Sequence, residues 1–545
     1  MLASPELLRD LNLSDTSSPA TEQEADALGI DVSSEGQSTT MYSYPDKAAI
    51  WLSKFRGETH WAVYIKEFKS IFSSDGRLEF PPLPQIHPGA DDSPDGASNL
   101  SHLLNDPKGY ILLIIPDREQ IRVYVESYLS TVERIYRILH IPSFREEAEA
   151  FWTNEQLPRW DWLAQYLLVI GIGCLTTPNA SIKEVARLLR AAEVCLLQIS
   201  LILNPTILTI NALCMMVIAK HVGAMSCHEY DSCSPLMGVV IRQAMSLGLH
   251  CDPTFDTKET SPFQTEMRRR LWMTIVHLEL RQSITSGMAP LLKNGDFSTL
   301  PPSNLNDDDL DLLSKDGCVP APEFEITDSS FQILLASSFS AAHEIVNAAN
   351  SLSETLSYER VTCLDSRIRE LLAEASFIRS NLSSSEPNWK VLQISTLQLT
   401  FRRILLTLHQ RYARQPEASV RYPTSYWSAL ESALAILVHQ RQIHEDPDHH
   451  ESAKWFAELF KNDFFMAIMM VGIQLCRKDN SALDGREHMV KSSGGYAPVI
   501  SPRSTILQTL KWCEDIWTSR LTPSFCQSKV SEIIGRIIRS VELEN

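Results

Sequence analysis

Closely spaced cysteines are missing from this sequence. None of its eleven cysteines precedes position 174, and no two stand in a Cys-x-x-Cys arrangement. A structural zinc site or a disulfide framework is built from such pairs, so neither is expected. Thiols spread through apolar stretches pack as small hydrophobes and point to a reducing compartment. Positive charge is scarce too. The net charge is −18, and the densest basic run is Arg268-Arg269-Arg270, so no basic stripe is present to hold a phosphate backbone against the field of the whole chain. There is no Gly-x-x-x-x-Gly-Lys-Ser/Thr phosphate cradle, no Gly-x-Ser-x-Gly nucleophile turn and no nucleic-acid finger pattern. Apolar runs long enough for a bilayer are nearly absent. Residues 194–219 carry no charge, but Asn204-Pro205 breaks them and Gln198, Ser200 and Asn211 interrupt each half. Two buried helices joined at a proline turn are therefore predicted, and no membrane span.

The 545 residues that remain are 44% hydrophobic and 21% charged, an ordinary globular balance. Residues 1–40 are rich in Ser, Asp and Glu and read as a disordered tail. Residues 41–117 hold a short amphipathic helical segment (47–73, with Trp51, Trp61, Ile65, Phe68 and Phe72 near one face) and a Pro/Gly/Asp-rich linker. Beyond them apolar residues recur at helical spacing with no convincing strand period, so the fold class is all-α: a large multi-helix array with short loops. One helix is predicted from Pro116 to Leu139, ending at His140-Ile141-Pro142, and the next from Phe144 to Trp152. Others follow at 160–175, 182–203, 205–225, 235–249 and 263–283; after an acidic loop at 300–325 they resume at 331–350, 361–382, 387–414, 425–443, 452–476 and 504–541.

Candidate sites are few. Gly171-Ile172-Gly173 reads as close helix packing rather than a dinucleotide turn. Gly248 fits the left-handed residue beyond a helix end. In the 263–283 helix Phe263, Met267, Leu271, Ile275 and Leu278 form an apolar face, and Glu266 and Arg270 can pair along the surface. The arginine triplet is expected to pair with Glu279 and the Asp307–Asp309 loop, the alternative being an acidic ligand. His343-Glu344 starts a His-Glu-x-x-His pattern whose second ligand is Asn347; Cys227 to Cys233 and His444, His449 and His450 are the other metal candidates, each weaker than a plain loop. Asp307-Asp308-Asp309 with Asp311 reads as a solvated acidic loop.

Several motifs occur in an order that carries more weight than any one of them. Ile115-Pro116-Asp117 leads to Tyr128 and then to His140-Ile141-Pro142-Ser143-Phe144. Ala244 to His250 ends in Leu247-Gly248-Leu249-His250. Glu266 precedes Arg268-Arg269-Arg270-Leu271-Trp272, and Gly287 to Pro290 precedes Leu300-Pro301 and Asp307-Asp308. Gly57 to Ala62 stands upstream, and Leu364 to Arg369, Leu405 to Gln410 and Trp455 to Ala467 downstream. Together, over roughly 50–545, they resemble the middle homology region of fungal zinc-cluster transcription factors, the fungal-specific transcription factor domain. That resemblance implies a regulatory domain over 118–310 with a C-terminal helical region, 311–545, packed on it. It marks His140, Pro142, Phe144, Gly248, His250, Arg268, Arg269, Arg270, Trp272, Glu279, Gly287 and Pro290 as signature residues of structural or regulatory weight. Trp272 is expected in the core, His140 and Pro142 at a helix exit, and His250 against helix-end carbonyls.

Two departures qualify the resemblance. The six-cysteine zinc cluster that normally precedes this region has no counterpart in these residues, and Glu279 stands where the family has Asp. What the resemblance implies is a regulator of transcription without a DNA-binding cluster of its own in this chain, in the nucleus or else the cytoplasm, controlling a metabolic or secondary-metabolite pathway. No enzyme activity and no cofactor are expected, zinc entering only with an upstream cluster. Expected partners are other transcription factors or coregulators, a small-molecule effector and a second copy of the chain as a homodimer, with DNA met indirectly. The alternatives are a truncated product of a full zinc-cluster factor, or a helical small-molecule-binding protein or enzyme derived from the family.

Overall fold

Helix starts are written in single side chains. Asp117, Ser181, Ser261 and Ser357 each accept from the backbone N–H three residues on, satisfying a donor the helix cannot. In the computed structural model these caps open four of the helices of an all-helical array; no strand is present among the described residues. Those residues are 57–61, 63–64, 67–68, 107–153, 158–177, 181–199, 205–222, 233–255, 260–310, 318–322, 325–382, 387–445, 454–477, 503–518 and 525–544. The tail expected over 1–40 and the linker ahead of Pro107 lie outside them.

The first half comprises α1 (Pro107–Ile114), α2 (Arg118–Ser130), α3 (Val132–Tyr136), α4 (Ile141–Thr153), α5 (Trp160–Thr176), α6 (Ile182–Leu197), α7 (Ile207–Val222), α8 (Cys233–Ser246) and α9 (Pro262–Ser286). The second half comprises α10 (Ser330–Ala336), α11 (Phe339–Asn350), α12 (Tyr358–Asn381), α13 (Asn388–Ala413), α14 (Ala418–Arg421), α15 (Pro423–Glu445), α16 (Lys454–Leu459), α17 (Lys461–Cys476), α18 (Arg503–Thr518) and α19 (Phe525–Glu544). In the first half α5 packs on α2, α6 and α7; in the second α13 packs on α12 and α15, and α15 on α17. Between them runs α9, which touches α7 and α8 on one side and α10 and α11 on the other. From Arg270 to Thr285 every residue of α9 is buried. The single apolar face read from Phe263, Met267, Leu271, Ile275 and Leu278 is therefore incomplete, because neighbours surround the helix instead of flanking it.

The predicted helix from 116 to 139 breaks. Thr131 leaves helical geometry (φ −122°, ψ −85°) and its hydroxyl turns back to the Ser127 carbonyl; Arg137 is left-handed at φ 50°. Pro142 does not end a helix. It lies in the first turn of α4, where its missing N–H leaves no bond unmade. Elsewhere the apolar periodicity runs through the breaks at Ser337-Ser338, at Phe460 and between Thr518 and Phe525, so three pairs of helices read as single ones. The charge-free run at 194–219 does divide, into the end of α6 and most of α7, and no helix among the described residues is long and apolar enough to cross a membrane.

Gly173 brings α5 against α2 so closely that a Cβ there would lie 2.0 Å from the Tyr124 carbonyl oxygen, whereas Gly238 in α8 faces open space. Gly173→Ala should lower stability by about 1–3 kcal/mol by forcing the helices apart. Gly238→Ala should raise it by up to about 1 kcal/mol by restricting the unfolded chain. Chemical-denaturation midpoints of the two variants check the opposite signs.

Candidate functional site

The three consecutive arginines of α9 point in different directions, since successive helix positions do not share a face. Arg268 donates from Nη2 to the Leu247 carbonyl at 2.9 Å, capping the end of α8. Arg269 makes a fork of two bonds, 2.8 and 2.9 Å, to the carboxylate of fully buried Asp252. Arg270, itself fully buried, donates to Glu266 at 3.2 Å, to Asp307 at 2.5 Å and to the Ser329 hydroxyl at 3.1 Å. The Glu266–Arg270 pair thus forms, but in the interior. Glu279 takes none of the arginines. It accepts from the Ser283 hydroxyl and the Leu291 N–H, and its other oxygen lies 3.3 Å from His343 Nε2.

Asp307 is the hub. Its carboxylate accepts from Arg270, from Arg137 and from the Ile141 N–H at 3.0 Å; its own N–H donates to Asp328, and its carbonyl meets His140 Nε2 at 3.0 Å. Asp328 in turn takes Arg134, while Glu133 accepts from the Leu139 N–H at 2.8 Å and the Tyr128 hydroxyl at 3.0 Å. Three guanidiniums (Arg134, Arg137, Arg270) therefore stand among four carboxyls (Glu133, Glu266, Asp307, Asp328). Burial alone would raise the Asp307 carboxyl, but Arg137 and Arg270 overcome it and hold it down to about 2. At Glu133 burial prevails over Arg137 and pushes the carboxyl up to about 8. Near neutral pH Glu133 is therefore the neutral acid of the cluster and Asp307 the anion between Arg137 and Arg270. The acidic loop read as solvated is buried at Asp307, and of the pairing expected between the arginine triplet and this loop, Arg270–Asp307 forms.

Above this cluster lies a cleft of about 980 Å³ between α4, α5, α7, the end of α8 and the first turns of α9. Phe144, Ile207, Phe263 and Met267 give it apolar walls, and His140, Gly248 and Arg268 also line it. Both ring nitrogens of His140 are engaged, Nδ1 with the Ser143 hydroxyl at 2.7 Å and Nε2 with the Asp307 carbonyl. With Nε2–H donating to the carbonyl and Nδ1 held by Ser143, the ring anchors the wall. Deeper in, Asn211 is 6% exposed; its Nδ2 donates to Gln165 Oε1 at 3.0 Å, but its Oδ1 has no partner among the described residues. A buried acceptor left unpaired costs about 1–3 kcal/mol.

The remaining signature residues sit elsewhere. Trp272 is fully buried as expected, between His250 (ring centroids 6.1 Å) and Phe297 (5.7 Å). His250 does not meet helix-end carbonyls with its ring; Arg268 fills that place, and the ring packs on Trp272 with Nε2 3.5 Å from Cys251 Sγ. Gly248 and Gly287 are both left-handed at φ 72°, and Gly287 ends α9. Its carbonyl accepts the Gly57 N–H at 3.0 Å, so the upstream Gly57 to Ala62 motif touches the far end of the arginine helix. Pro290 is buried in the turn that follows.

Among the described residues His409 lies between Ser425 (Nδ1 to Oγ 3.0 Å) and Asp365 (Nε2 to Oδ1 2.8 Å), the residue types of a catalytic triad, but all three are buried and none of them lines the cleft. His221 is held down to about 3, and His277 well below its ordinary value, in both cases first by burial, so both are neutral core groups. No group of three potential metal ligands occurs among the described residues, and Cys174, Cys195 and Cys214 are buried on three different helices, which does not fit a two-zinc cluster. Cys227 with the rest of that loop, and His449 and His450, lie outside the described residues. Sequence reasoning missed Arg137, Asp328, Asn211 and Gln165. Only Asn211 left a signal, as a polar residue inside an otherwise apolar helix.

Asp307→Asn should destabilise the fold by about 3–5 kcal/mol, because Arg137 and Arg270 would lose their shared anion. The pH dependence has a definite sign. The carboxyl titrates at about 2 in the folded chain against ~3.9 unfolded, so its contribution is complete above about pH 4 and is lost as pH falls towards 2. Unfolding free energies measured across that window should slope more steeply for the parent chain than for the variant.

Residues 125–347, which contain the hub, the cleft and all of α9, match the family model described as "fungal specific transcription factor domain". Among curated proteins, the chain is 30% identical over 376 residues to the transcription factor lepE of Aspergillus flavus, covering 66% of this chain and 44% of that protein. It is 25% identical over 452 residues to the Zn(2)-C6 fungal-type transcription factor mpsB of Macrophomina phaseolina, with coverages of 79% and 59%. It is 26% identical over 467 residues to the equisetin cluster transcription factor eqxF of Fusarium heterosporum, with coverages of 79% and 63%. The chain spans about half the length of the curated relatives it matches. The arginine helix and the motifs from His140 to Asp308 all fall inside the matched segment, and over residues 125–347 the chain carries a fungal-specific transcription factor domain.

Proposed function

We propose that this chain is the regulatory body of a nuclear transcription factor that controls a metabolic or secondary-metabolite pathway, and that contact with DNA is supplied from outside this helical body. The carrying observation is the family match over 125–347, reinforced by relatives whose names describe transcription factors, one of them of a biosynthetic cluster. The physics of the surface supports the second half. Net charge is −18, and the one basic run spends its arginines on Leu247, Asp252, Glu266 and Asp307. Guanidiniums held in that way are not free to replace counterions on a duplex.

A zinc cluster encoded ahead of these residues and a DNA-binding partner chain are both compatible with coverage of about half of the relatives. The polar groups of the cleft wall serve structure: His140 is hydrogen-bonded at both ring nitrogens, and Asp252 is paired with Arg269. The 545-residue chain titrated onto random-sequence duplex from about 50 to about 200 mM salt should show weak binding and a shallow salt slope. Nuclear exclusion of the tagged protein, together with unchanged transcript profiles on deletion of its gene, would sink the regulatory reading.

A further inference from the structure

The cleft between α4, α5, α7 and α9 has three features that together describe a ligand. Its walls are largely apolar, with Phe144, Ile207, Phe263 and Met267 facing a volume of about 980 Å³, in the range of small-molecule sites. Its depth holds the Asn211–Gln165 amide pair, in which Asn211 Oδ1 is buried and has no partner among the described residues. Exchanging the two amide atoms would move that orphan without removing it. Its rim carries Arg268, which gives one N–H to the Leu247 carbonyl and is in ion-pair contact with no carboxylate among the described residues. The two acids that also line the cleft are already engaged: Asp252 with Arg269, and Glu147 with the Trp162 indole N–H at 3.0 Å.

We infer that this cleft binds an amphipathic organic anion: a mainly apolar molecule with an O–H or N–H group for Asn211 and an acidic group for Arg268. The apolar body gains by leaving water, the donor satisfies the buried amide, and the anion meets a guanidinium with no carboxylate partner. His140 contributes a ring face only, since both its nitrogens are used. The floor under the ligand is the Asp307 cluster, so the walls contributed by α4 and α9 are fixed before anything binds. A consequence for gene control rests on the regulatory reading above; the binding itself does not.

The test uses two fluorescent dyes on the full chain. Anilinonaphthalene sulfonate has an apolar body of a naphthalene and a phenyl ring, an N–H and a sulfonate; N-phenyl-naphthylamine has the same body and N–H without the anion. The parent chain should bind the sulfonate dye saturably at one site, roughly tenfold more tightly than the neutral dye, as expected of one charge-assisted contact. Arg268→Gln should erase that preference, Asn211→Leu should weaken both dyes alike, and Met267→Trp should narrow the cleft beside Arg268 and weaken both dyes. Near-ultraviolet circular dichroism and the melting temperature establish that each variant is folded. Non-saturable binding, an unchanged preference in Arg268→Gln, or unchanged binding in folded Met267→Trp overturns the proposal. Since no transcription is measured, these results leave the regulatory reading untouched, and failure of that reading leaves the dye site standing.

Discussion

A single carboxylate, that of Asp307, holds together parts of the chain far apart in sequence. It binds Arg137 after α3, the first N–H of α4 and Arg270 in α9, while its backbone reaches Asp328 and His140. Taking charges from water into an interior costs several kcal/mol per ion, and their attraction repays this only when geometry is good and the hydrogen-bonding capacity is filled. Such a cluster is a poor source of net stability. It is a strong source of uniqueness, because any other arrangement of α3, α4 and α9 would bury unmatched charges. The left-handed backbone of Arg137, costly for a residue with a Cβ, persists because the side chain it aims is pinned by this anion.

How much of this the sequence disclosed follows from what kind of interaction each feature is. Local features were legible. The left-handed Gly248 and the close packing at Gly173 are each decided by a few neighbouring residues. The split of α10 from α11 at Ser337-Ser338 was hidden, since apolar spacing continues through it. The hub was legible only in part. Pairing of the arginine triplet with the Asp307–Asp309 loop was expected, but Asp307, Asp308 and Asp309 are identical letters, and only pairing with residues 37 and 170 positions away singles out and buries the first of them. Arg137, the second of those partners, carries no local mark. Arg268 takes the helix-end place expected of His250, because both lie within reach of the end of α8 and only three-dimensional placement decides which one caps it.

The cleft and the hub are two sides of one wall. Residues that look like signatures when read along the chain fall into two groups in space. His140, Phe144, Gly248 and Arg268 line the cleft, while Trp272, Glu279, Gly287 and Pro290 fasten the lower course of α9 and the turn beyond it. Residues of the first group surround a volume, and those of the second fill one. A domain that must hold a shaped cavity needs both, since a cavity wall lacks packing partners on one side and has to be stiffened from the other.

The 25 residues of α9 make a rod about 37 Å long, with the cleft beside its first turns and the Gly57 backbone against Gly287 at its end, Cβ-free on both sides of the contact. Thr59 next to that contact is bonded to Asn350 and Arg403, so the segment is clamped from α11 and α13 as well. Enclosed along most of its length, pinned through Arg270 near one end and seated between two glycines at the other, α9 is a strut: it fixes the spacing between the cleft and the segment around Gly57.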